Sequence, residues 1–159
     1  MAVRIGELPD SSLQAIKVGR VRQMLVAAPA YLQAHGQPVH PAELGQHTLV
    51  ARGGGAPEVE WQFEQDGKAV TQRLHPRVRT SSNDSAIAAA VAGFGITRLL
   101  SYQVAEALRR GQLQAVLAGF EKPALPIHVV HREGRRATQK VRGFIDLAVE
   151  ALRAHPALR

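Results

Sequence analysis

Apolar and polar positions alternate along this sequence in short runs whose period changes from one segment to the next. In residues 59–63 every second side chain is apolar, which predicts a half-buried strand, and Asp66-Gly67 offers the tight turn of a hairpin. Within residues 22–28, the apolar run from Met24 to Ala27 is typical of a buried strand. In residues 138–153 the apolar side chains recur with a period near 3.6 and predict an amphipathic helix. Its apolar stripe consists of Val141, Phe144, Ile145, Ala148 and Leu152.

Residues 7–12 form a turn-rich stretch. Strands and helices are predicted to alternate through the rest of the chain. Pro29 stands at a favourable first helical position, and Gly36 ends the short helix after it. Gly93-Phe94-Gly95 follows a helix and precedes a strand, so it predicts a connector; a phosphate-binding turn needs the reverse order. This alternation predicts an α/β protein. The remaining strands are predicted at 2–5, 48–51, 69–71, 77–80, 96–100, 113–117 and 127–131. The remaining helices are predicted at 30–35, 85–92 and 102–110, and a brief helical turn is predicted at 41–44.

The segment Thr80-Ser81-Ser82-Asn83-Asp84 places hydroxyl and amide groups at the start of an alanine-rich helix. Serine, asparagine and aspartate are all favourable N-cap residues. The free N–H groups and the positive dipole end of a helix also favour an anion. Two roles therefore stay open for this segment, either capping alone or capping together with the binding of an anion.

The composition is that of a globular protein with a core, since 45% of the 159 residues are apolar and 21% are charged. The chain has no cysteine, which excludes disulfides, thiolate metal sites and a cysteine nucleophile and fits a reducing cytosol. No apolar run is long enough to span a membrane, and the first residues lack the layout of a signal peptide. We therefore expect a cytoplasmic protein with no membrane partner.

The net charge of +7 arises from 16 arginines and 4 lysines, which are spread along the chain. The densest group is Arg132, Arg135, Arg136, Lys140 and Arg142. None of the seven aromatic residues is interleaved with that group, as a stacking platform for nucleic acid would require. A solvated basic face is the favoured interpretation, and nucleic-acid binding by these residues is the less favoured one.

The sequence does not contain a recognisable catalytic or metal-binding pattern. There is no G-x-S-x-G nucleophile elbow, and no pair of carboxylates stands out for acid–base chemistry. His128 and His131 are three residues apart on a predicted strand, so they point to opposite faces. We expect no enzyme activity, no metal and no cofactor; an enzyme on an α/β scaffold is the minority alternative.

Several short motifs, each weak alone, occur together in the order of one known family. The run LVAAPAYL at 25–32 resembles that family's LVASPAYL segment, and PAEL at 41–44 with His47 resembles the part that follows it. The phrase ITRLLSYQV at 96–104 is similar to LTRVLSYQV of one subgroup, and KVRGFID at 140–146 is similar to the closing helix KVRAFIDF. Over essentially the whole chain, the sequence resembles the effector-binding domain of LysR-type transcriptional regulators.

This resemblance implies a fold like that of type 2 periplasmic binding proteins, with two α/β lobes joined by crossover strands. It assigns residues 1–27 and 126–159 to lobe one and residues 28–125 to a complete lobe two. Family members begin with a winged helix-turn-helix and the first part of lobe one; we expect both to be absent here, so that DNA is bound only through the absent domain. An incomplete lobe one would leave exposed sheet edges and an apolar face on the last helix, so we expect the fragment to depend on association.

The resemblance also implies a function. A small-molecule effector would be held between the two lobes, lobe closure would be transmitted to the DNA-binding domain, and the regulator would be a homodimer or tetramer. The effector would bind near Ser81, Ser82 and Asn83, with Gly6 near a crossover strand and Pro29 on the other side. The alternative is a solute-binding protein of the periplasmic-binding-protein type, which would need a secretion signal and a complete first lobe.

Arg98 is a charged residue on a predicted strand that is otherwise apolar. A buried guanidinium without solvent, a partner or a ligand would be unfavourable. The sequence leaves two interpretations open, a structural ion pair and a contact to an anionic effector. An effector with a carboxylate would suit both Arg98 and the start of the helix at Asn83.

Overall fold

The structure is a computed structural model that describes residues 1–9, 13–132 and 138–159. In chain order the strands are β1 (Ala2–Ile5), β2 (Gln14–Val21), β3 (Gln23–Ala27), β4 (Leu49–Arg52), β5 (Val59–Gln65), β6 (Lys68–Leu74), β7 (Val78–Thr80), β8 (Ile96–Leu100), β9 (Gln114–Val116) and β10 (Leu125–His131). The α-helices are α1 (Pro29–His35), α2 (Asn83–Val91), α3 (Ser101–Arg109) and α4 (Gln139–Ala154), and 3₁₀ turns occur at Pro41–Gln46, Ala118–Phe120 and Pro156–Leu158.

The chain divides into two compact units, one of residues 1–22 and 123–159 and one of residues 23–122. The second unit includes β3, which the family resemblance assigned to lobe one. Both neighbours of β3, β8 and β9, belong to the second unit, and their pairing holds the strand there. The identification of these units with lobes one and two stays a prediction.

The second unit is built on one mixed sheet with the strand order β7-β4-β8-β3-β9. Strands β7, β4 and β8 are parallel, whereas β3 runs antiparallel to β8 and β9. The parallel part arises because α2 connects β7 to β8 as a crossover helix. The carboxyl ends of the three parallel strands therefore meet at one edge of the sheet, where α2 and α3 begin.

Each face of this sheet packs against a separate apolar cluster. One cluster lies between the sheet, α1 and the β5–β6 hairpin, and its largest members are Tyr31, Leu44, Trp61, Phe63 and Ile96. The other lies beneath α2 and α3 and contains Met24, Val50, Ala86, Leu99 and Val104. The strand β8 contributes alternate residues to the two clusters, because neighbouring side chains of a strand point to opposite faces.

The local signals of the sequence are confirmed at several positions. Asp66 and Gly67 form the turn between β5 and β6 with φ values of 51° and 73°. Pro29 is the first residue of α1, and Gly36 follows the helix with a φ of 82°. Residues 10–12 of the turn-rich stretch, and Arg135 and Arg136 of the basic group, lie outside the described residues.

The first unit contains a three-stranded antiparallel sheet, β1-β10-β2, with α4 packed against it. Strand β2 was not predicted, because Gly19 and two charged residues interrupt the alternation of its apolar side chains. It forms through pairing with β10, which is a long-range interaction that local pattern does not reveal.

The apolar stripe predicted for α4 is wrong in part. The helix buries Ile145 and Val149, whereas Phe144 is 60% exposed and Val141 is 37% exposed. The predicted stripe was centred too far to one side, because the helical period alone does not show which part of a wide apolar arc meets the sheet. An exposed apolar flank on the last helix was expected, and it is present.

Tyr31 and His47 form a polar contact beneath α1 that joins the 3₁₀ turn at Pro41–Gln46 to β4. The buried Tyr31 hydroxyl accepts a hydrogen bond from the Thr48 N–H at 3.0 Å and lies 3.1 Å from His47 Nδ1. The hydroxyl hydrogen is thus free to be donated to Nδ1, which requires an unprotonated Nδ1. Burial lowers the pKa of His47, and nearby His35 lowers it further, while Glu43 acts in the opposite direction.

We expect the His47 contact to make the protein less stable in acid. The folded pKa lies below the unfolded value of about 6.5, so the unfolded chain binds the proton first as the pH falls. The contribution of this contact to the free energy of unfolding should be complete above about pH 6.5, the unfolded pKa. It should decrease as the pH falls towards the folded pKa and stay constant below that value. Urea unfolding at several pH values should show this slope in the wild type and a smaller one in His47→Gln. An equal slope in both would contradict the assignment, and His75→Gln, with its exposed ring, serves as the control.

Gly95 marks a close approach of two backbones at the start of β8. A Cβ at this position would lie 2.1 Å from the carbonyl oxygen of Thr48, and the φ of Gly95 is 156°. The next residue, Ile96, donates its N–H to that same oxygen at 2.9 Å. The contact fixes the point at which β8 enters the sheet beside β4.

A Gly95→Ala substitution should therefore lower the free energy of unfolding by about 1–3 kcal/mol, the usual range for overpacking at a site that cannot yield. Chemical denaturation measures this change. Gly45→Ala is a suitable control, because the space around Gly45 is open and its φ is not positive. Similar stabilities of the two variants would show that the Gly95 approach is not a constraint.

Candidate ligand-binding site

A cavity of about 340 Å³ opens at the carboxyl edge of the parallel strands in the second unit. Its polar lining consists of Gln23, Arg52, Asn83, Arg98 and Gln103. Its apolar lining consists of Ala51, Val59, Trp61, Leu99 and Leu100. A concave site with an apolar wall and a few convergent polar groups has the usual form of a small-molecule site.

The fold explains why these residues meet although they are far apart in sequence. Arg52 ends β4, and Leu100 ends β8 just before α3 begins. Asn83 is the first residue of α2, which follows the end of β7. Gln23 begins the antiparallel strand β3 and is paired with Leu100. In α/β sheets, this edge is where ligands are commonly bound.

Arg98 lies half-buried on the side of the sheet that faces the β5–β6 hairpin. Its guanidinium carbon is 6.0 Å from the ring centroid of Trp61 and 5.8 Å from that of Phe63, within the range of cation–π contacts. The group donates hydrogen bonds to the side chain of Gln23 and, at 3.1 Å, to the carbonyl of Gln62. Burial lowers the pKa of Arg98, yet a guanidinium stays charged at any physiological pH.

The structural ion pair considered for Arg98 is not observed. Its hydrogen-bond partners are neutral, and no carboxylate of the described residues lies within ion-pair distance of it. Arg52, also in the cavity lining, has no hydrogen bond or ion pair to a described residue. The lining thus carries two guanidinium groups and no acidic side chain, which favours an anionic ligand.

The helix α2 begins as the capping interpretation requires. Ser82 is the N-cap, and its Oγ accepts a hydrogen bond from the Ser85 N–H at 3.1 Å. The carbonyl of Ser82 accepts bonds from Thr80 Oγ1 at 3.1 Å and from the Ala86 N–H at 3.2 Å. Ser82 therefore acts structurally, while the adjacent Asn83 faces the cavity. At the start of α3 the direction is reversed, since Gln103 Oε1, in the first turn of the helix, accepts the N–H of the N-cap residue Leu100 at 2.9 Å.

The structure brings together two of the six site residues that were predicted. Asn83 and Arg98 line the same cavity, whereas Ser81 and Ser82 precede Asn83 without being part of its lining. Pro29 begins α1 and is also outside the lining. Gly6 belongs to the other unit, where its N–H donates to the Pro126 carbonyl at 2.9 Å. The roles given to these residues stay predictions.

Four polar or aromatic lining residues were not predicted, namely Gln23, Arg52, Trp61 and Gln103. Two of them had a usable signal in the sequence. Arg52 directly follows the predicted strand 48–51, and Gln103 follows the end of the predicted strand 96–100 by a few residues, where parallel strands present ligand-binding side chains. Gln23 had no such signal, because its position depends on the antiparallel pairing of β3 with β8.

Comparison with known proteins agrees with this architecture. The model of the family described as LysR substrate binding domain matches residues 1–153. The chain belongs to this family. Its fold is the mixed α/β fold of LysR-type regulatory domains, which is related to that of periplasmic binding proteins. In function it is the substrate-binding domain of a transcriptional regulator.

Individual relatives show how much of such a regulator the chain spans. An HTH-type transcriptional regulator of Xanthomonas campestris pv. campestris is 31% identical over 157 residues, which are 96% of this chain and 45% of that protein. The full-length structure of the Vibrio cholerae virulence activator AphB is 33% identical, with a TM-score of 0.80, and is covered to 50%. The regulatory domain of AphB in Vibrio vulnificus is 30% identical, with a TM-score of 0.78, and is covered to 73% by 94% of this chain.

The LysR chain therefore spans about half the length of the full-length relatives and about three quarters of the regulatory-domain structure. None of the helices in the described residues is long and apolar enough to cross a membrane. Among the same residues, no group of three or more His, Asp or Glu side chains is arranged to hold a metal ion.

Proposed function

We propose that this LysR domain binds a small carboxylate anion in the cavity of its second unit. The observation that carries the proposal is the charged, half-buried Arg98, whose hydrogen-bond partners are all neutral. A carboxylate can accept two hydrogen bonds from a guanidinium, and such charge-assisted bonds are the stronger ones. Arg52 would supply a second positive charge in the same lining.

The remaining lining residues suit the rest of such a ligand. Trp61 and Val59 offer an apolar wall, and the amide groups of Asn83, Gln23 and Gln103 offer both donors and acceptors. Asn83 at the start of α2 would also bring the ligand to the positive end of a helix dipole. The contacts expected from Ser81, Ser82, Gly6 and Pro29 are retained as proposals drawn from the resemblance to the family.

The proposed mechanism is a shift of population between two conformations. A ligand changes such an equilibrium only by the difference between its affinities for the two states. In the parent regulator, the state with the closed lobes would be favoured by the effector, and this change would be transmitted to a winged helix-turn-helix that binds DNA. We propose that the parent is a cytoplasmic homodimer or tetramer without enzymatic activity and without a cofactor or bound metal.

The only tryptophan of the sequence gives a direct test of the ligand class, because Trp61 lines the cavity. Titration with acetate, succinate and benzoate, each beside its uncharged amide, should change the Trp61 emission for at least one carboxylate and not for its amide. The negative charge should decide binding because the lining contains two guanidiniums and no acid. An amide that binds as tightly as its carboxylate would contradict the proposal, and so would a panel with no response.

Substitutions locate the site of the carboxylate found in this way. Arg98→Gln should weaken binding about 10- to 100-fold, since a hydrogen bond to a charged group contributes about 1.5–3 kcal/mol. Asn83→Ala should weaken it by a smaller factor, measured by the same titration. Arg77→Gln is the matched control, because Arg77 is an exposed arginine of the same unit outside the lining. Unchanged affinity in both Arg98→Gln and Asn83→Ala would show that the ligand binds elsewhere.

A further inference from the structure

Arg98 uses a single nitrogen of its guanidinium for the hydrogen bonds that hold it in place. Its Nη2 donates both to the side-chain oxygen of Gln23 and, at 3.1 Å, to the main-chain carbonyl of Gln62. A guanidinium has five N–H groups, of which two are on Nη2. Both Nη2 hydrogens are therefore donated to neutral oxygens, while Nε and Nη1 donate to no residue that the structure describes.

This arrangement limits how a carboxylate can bind to Arg98. A carboxylate that accepts two parallel hydrogen bonds uses two neighbouring nitrogens of the guanidinium, either Nε with Nη2 or Nη1 with Nη2. The nitrogens Nε and Nη1 do not form such a pair, because Cδ occupies the side of the group between them. A carboxylate bound by two parallel bonds must therefore displace one of the two oxygens that Nη2 already contacts.

Gln23 is the partner that can yield its place. The acceptor of Gln62 is a main-chain carbonyl of β5, where Gln62 is paired with Thr71, and its side chain accepts a further bond from Lys122 at 2.9 Å. The acceptor of Gln23 is instead the end of an exposed side chain, which can rotate away. Gln23 lines the cavity and Gln62 does not, so the bond to Gln23 is the one on the side of the cavity.

The register of β3 against β8 brings Gln23 and Arg98 together. Arg98 is paired with Leu25, and Gln23 lies two residues before Leu25, on the same face of the sheet. The two polar side chains are thus diagonal neighbours, at a separation that long side chains span. Gln23 is also the first residue of the second unit, where the chain enters it from residue 22.

We propose that Gln23 occupies, in the ligand-free protein, the position on Arg98 that the carboxylate of the ligand takes when it binds. The amide oxygen of Gln23 is a neutral substitute for a carboxylate oxygen, and it holds the half-buried guanidinium in place until the ligand arrives. The ligand replaces it because a negative charge attracts the guanidinium more strongly than an amide dipole does. Gln23 is thus a positioning residue that also sets the affinity of the site. This inference rests on the proposed carboxylate site and adds the exchange of acceptors that binding requires.

The direction of the effect of Gln23→Leu tests this exchange. Removing a side chain that binds the ligand would weaken binding, whereas removing a competing acceptor should strengthen it. Titration of the Trp61 emission with acetate, succinate and benzoate should show binding about 3- to 10-fold tighter in Gln23→Leu than in the wild type, because one hydrogen bond no longer has to be broken. Gln33→Leu is the matched control, since Gln33 is an exposed glutamine of α1 outside the lining, and it should bind as the wild type does.

Further variants separate the exchange of acceptors from other effects of the leucine. Gln23→Ser covers the case in which Gln23→Leu does not fold or the leucine itself contacts the ligand; its side chain is shorter, and it should tighten binding to a similar degree. Gln23→Glu places a carboxylate beside Nη2 and should weaken binding by about 10-fold or more. In an Arg98→Lys background, which lacks the paired donors of a guanidinium, Gln23→Leu should no longer tighten binding, because both substitutions act on one contact.

The outcomes distinguish this inference from the proposed site itself. If no carboxylate binds to the wild type or to the Gln23 variants, the proposed site is wrong and the inference fails with it. If a carboxylate binds to the wild type, and Gln23→Leu or Gln23→Ser binds it equally or more weakly, only the inference is overturned, because Gln23 then stays on Arg98 or contacts the ligand. Equal tightening in the Arg98→Lys background would overturn it as well. Binding to the Gln23 variants alone would support it, since Gln23 would then exclude the ligand from the wild-type site.

Discussion

The placement of β8 at the centre of its sheet is the constraint on which the second unit depends. The strand pairs in parallel with β4 and antiparallel with β3, and its side chains enter both apolar clusters. The backbone contact between Gly95 and Thr48 fixes its beginning, and α3 follows directly at its end. Because β8 is paired with a strand on each side and packed on both faces, these contacts also fix the position of Arg98 in its middle.

Arg98 connects this scaffold to ligand binding. A guanidinium on a central strand is unfavourable unless its charge is compensated, and here two aromatic rings and two neutral acceptors compensate it only in part. The same contacts join β8 to the hairpin and to β3, so they also stabilise the wall of the cavity. A group that is both held in position and short of a counterion is well prepared to bind an anion without large rearrangement.

The unit of residues 1–22 and 123–159 differs in that part of its last helix leaves apolar side chains exposed. Its sheet and helix satisfy the requirements of local structure, but α4 presents apolar side chains on a wider arc than β2 can cover. One side of α4 packs into the core of the unit, and another side is exposed. An exposed apolar surface of this kind usually marks a place where another polypeptide binds.

The sequence by itself determined the features that depend on neighbours in the chain. The hairpin turn at Asp66-Gly67, the start of α1 at Pro29 and the cap of α2 near Ser82 follow from the preferences of a few adjacent residues, and the ordered motifs sufficed to identify the LysR family. Only the tertiary structure decided which distant residues meet. Strand β2 exists through its pairing with β10, Gln23 reaches the cavity through the register of β3 with β8, and the buried side of α4 follows from how it packs on β2. These outcomes depend on contacts between residues far apart in the chain, whose free energies no local pattern records.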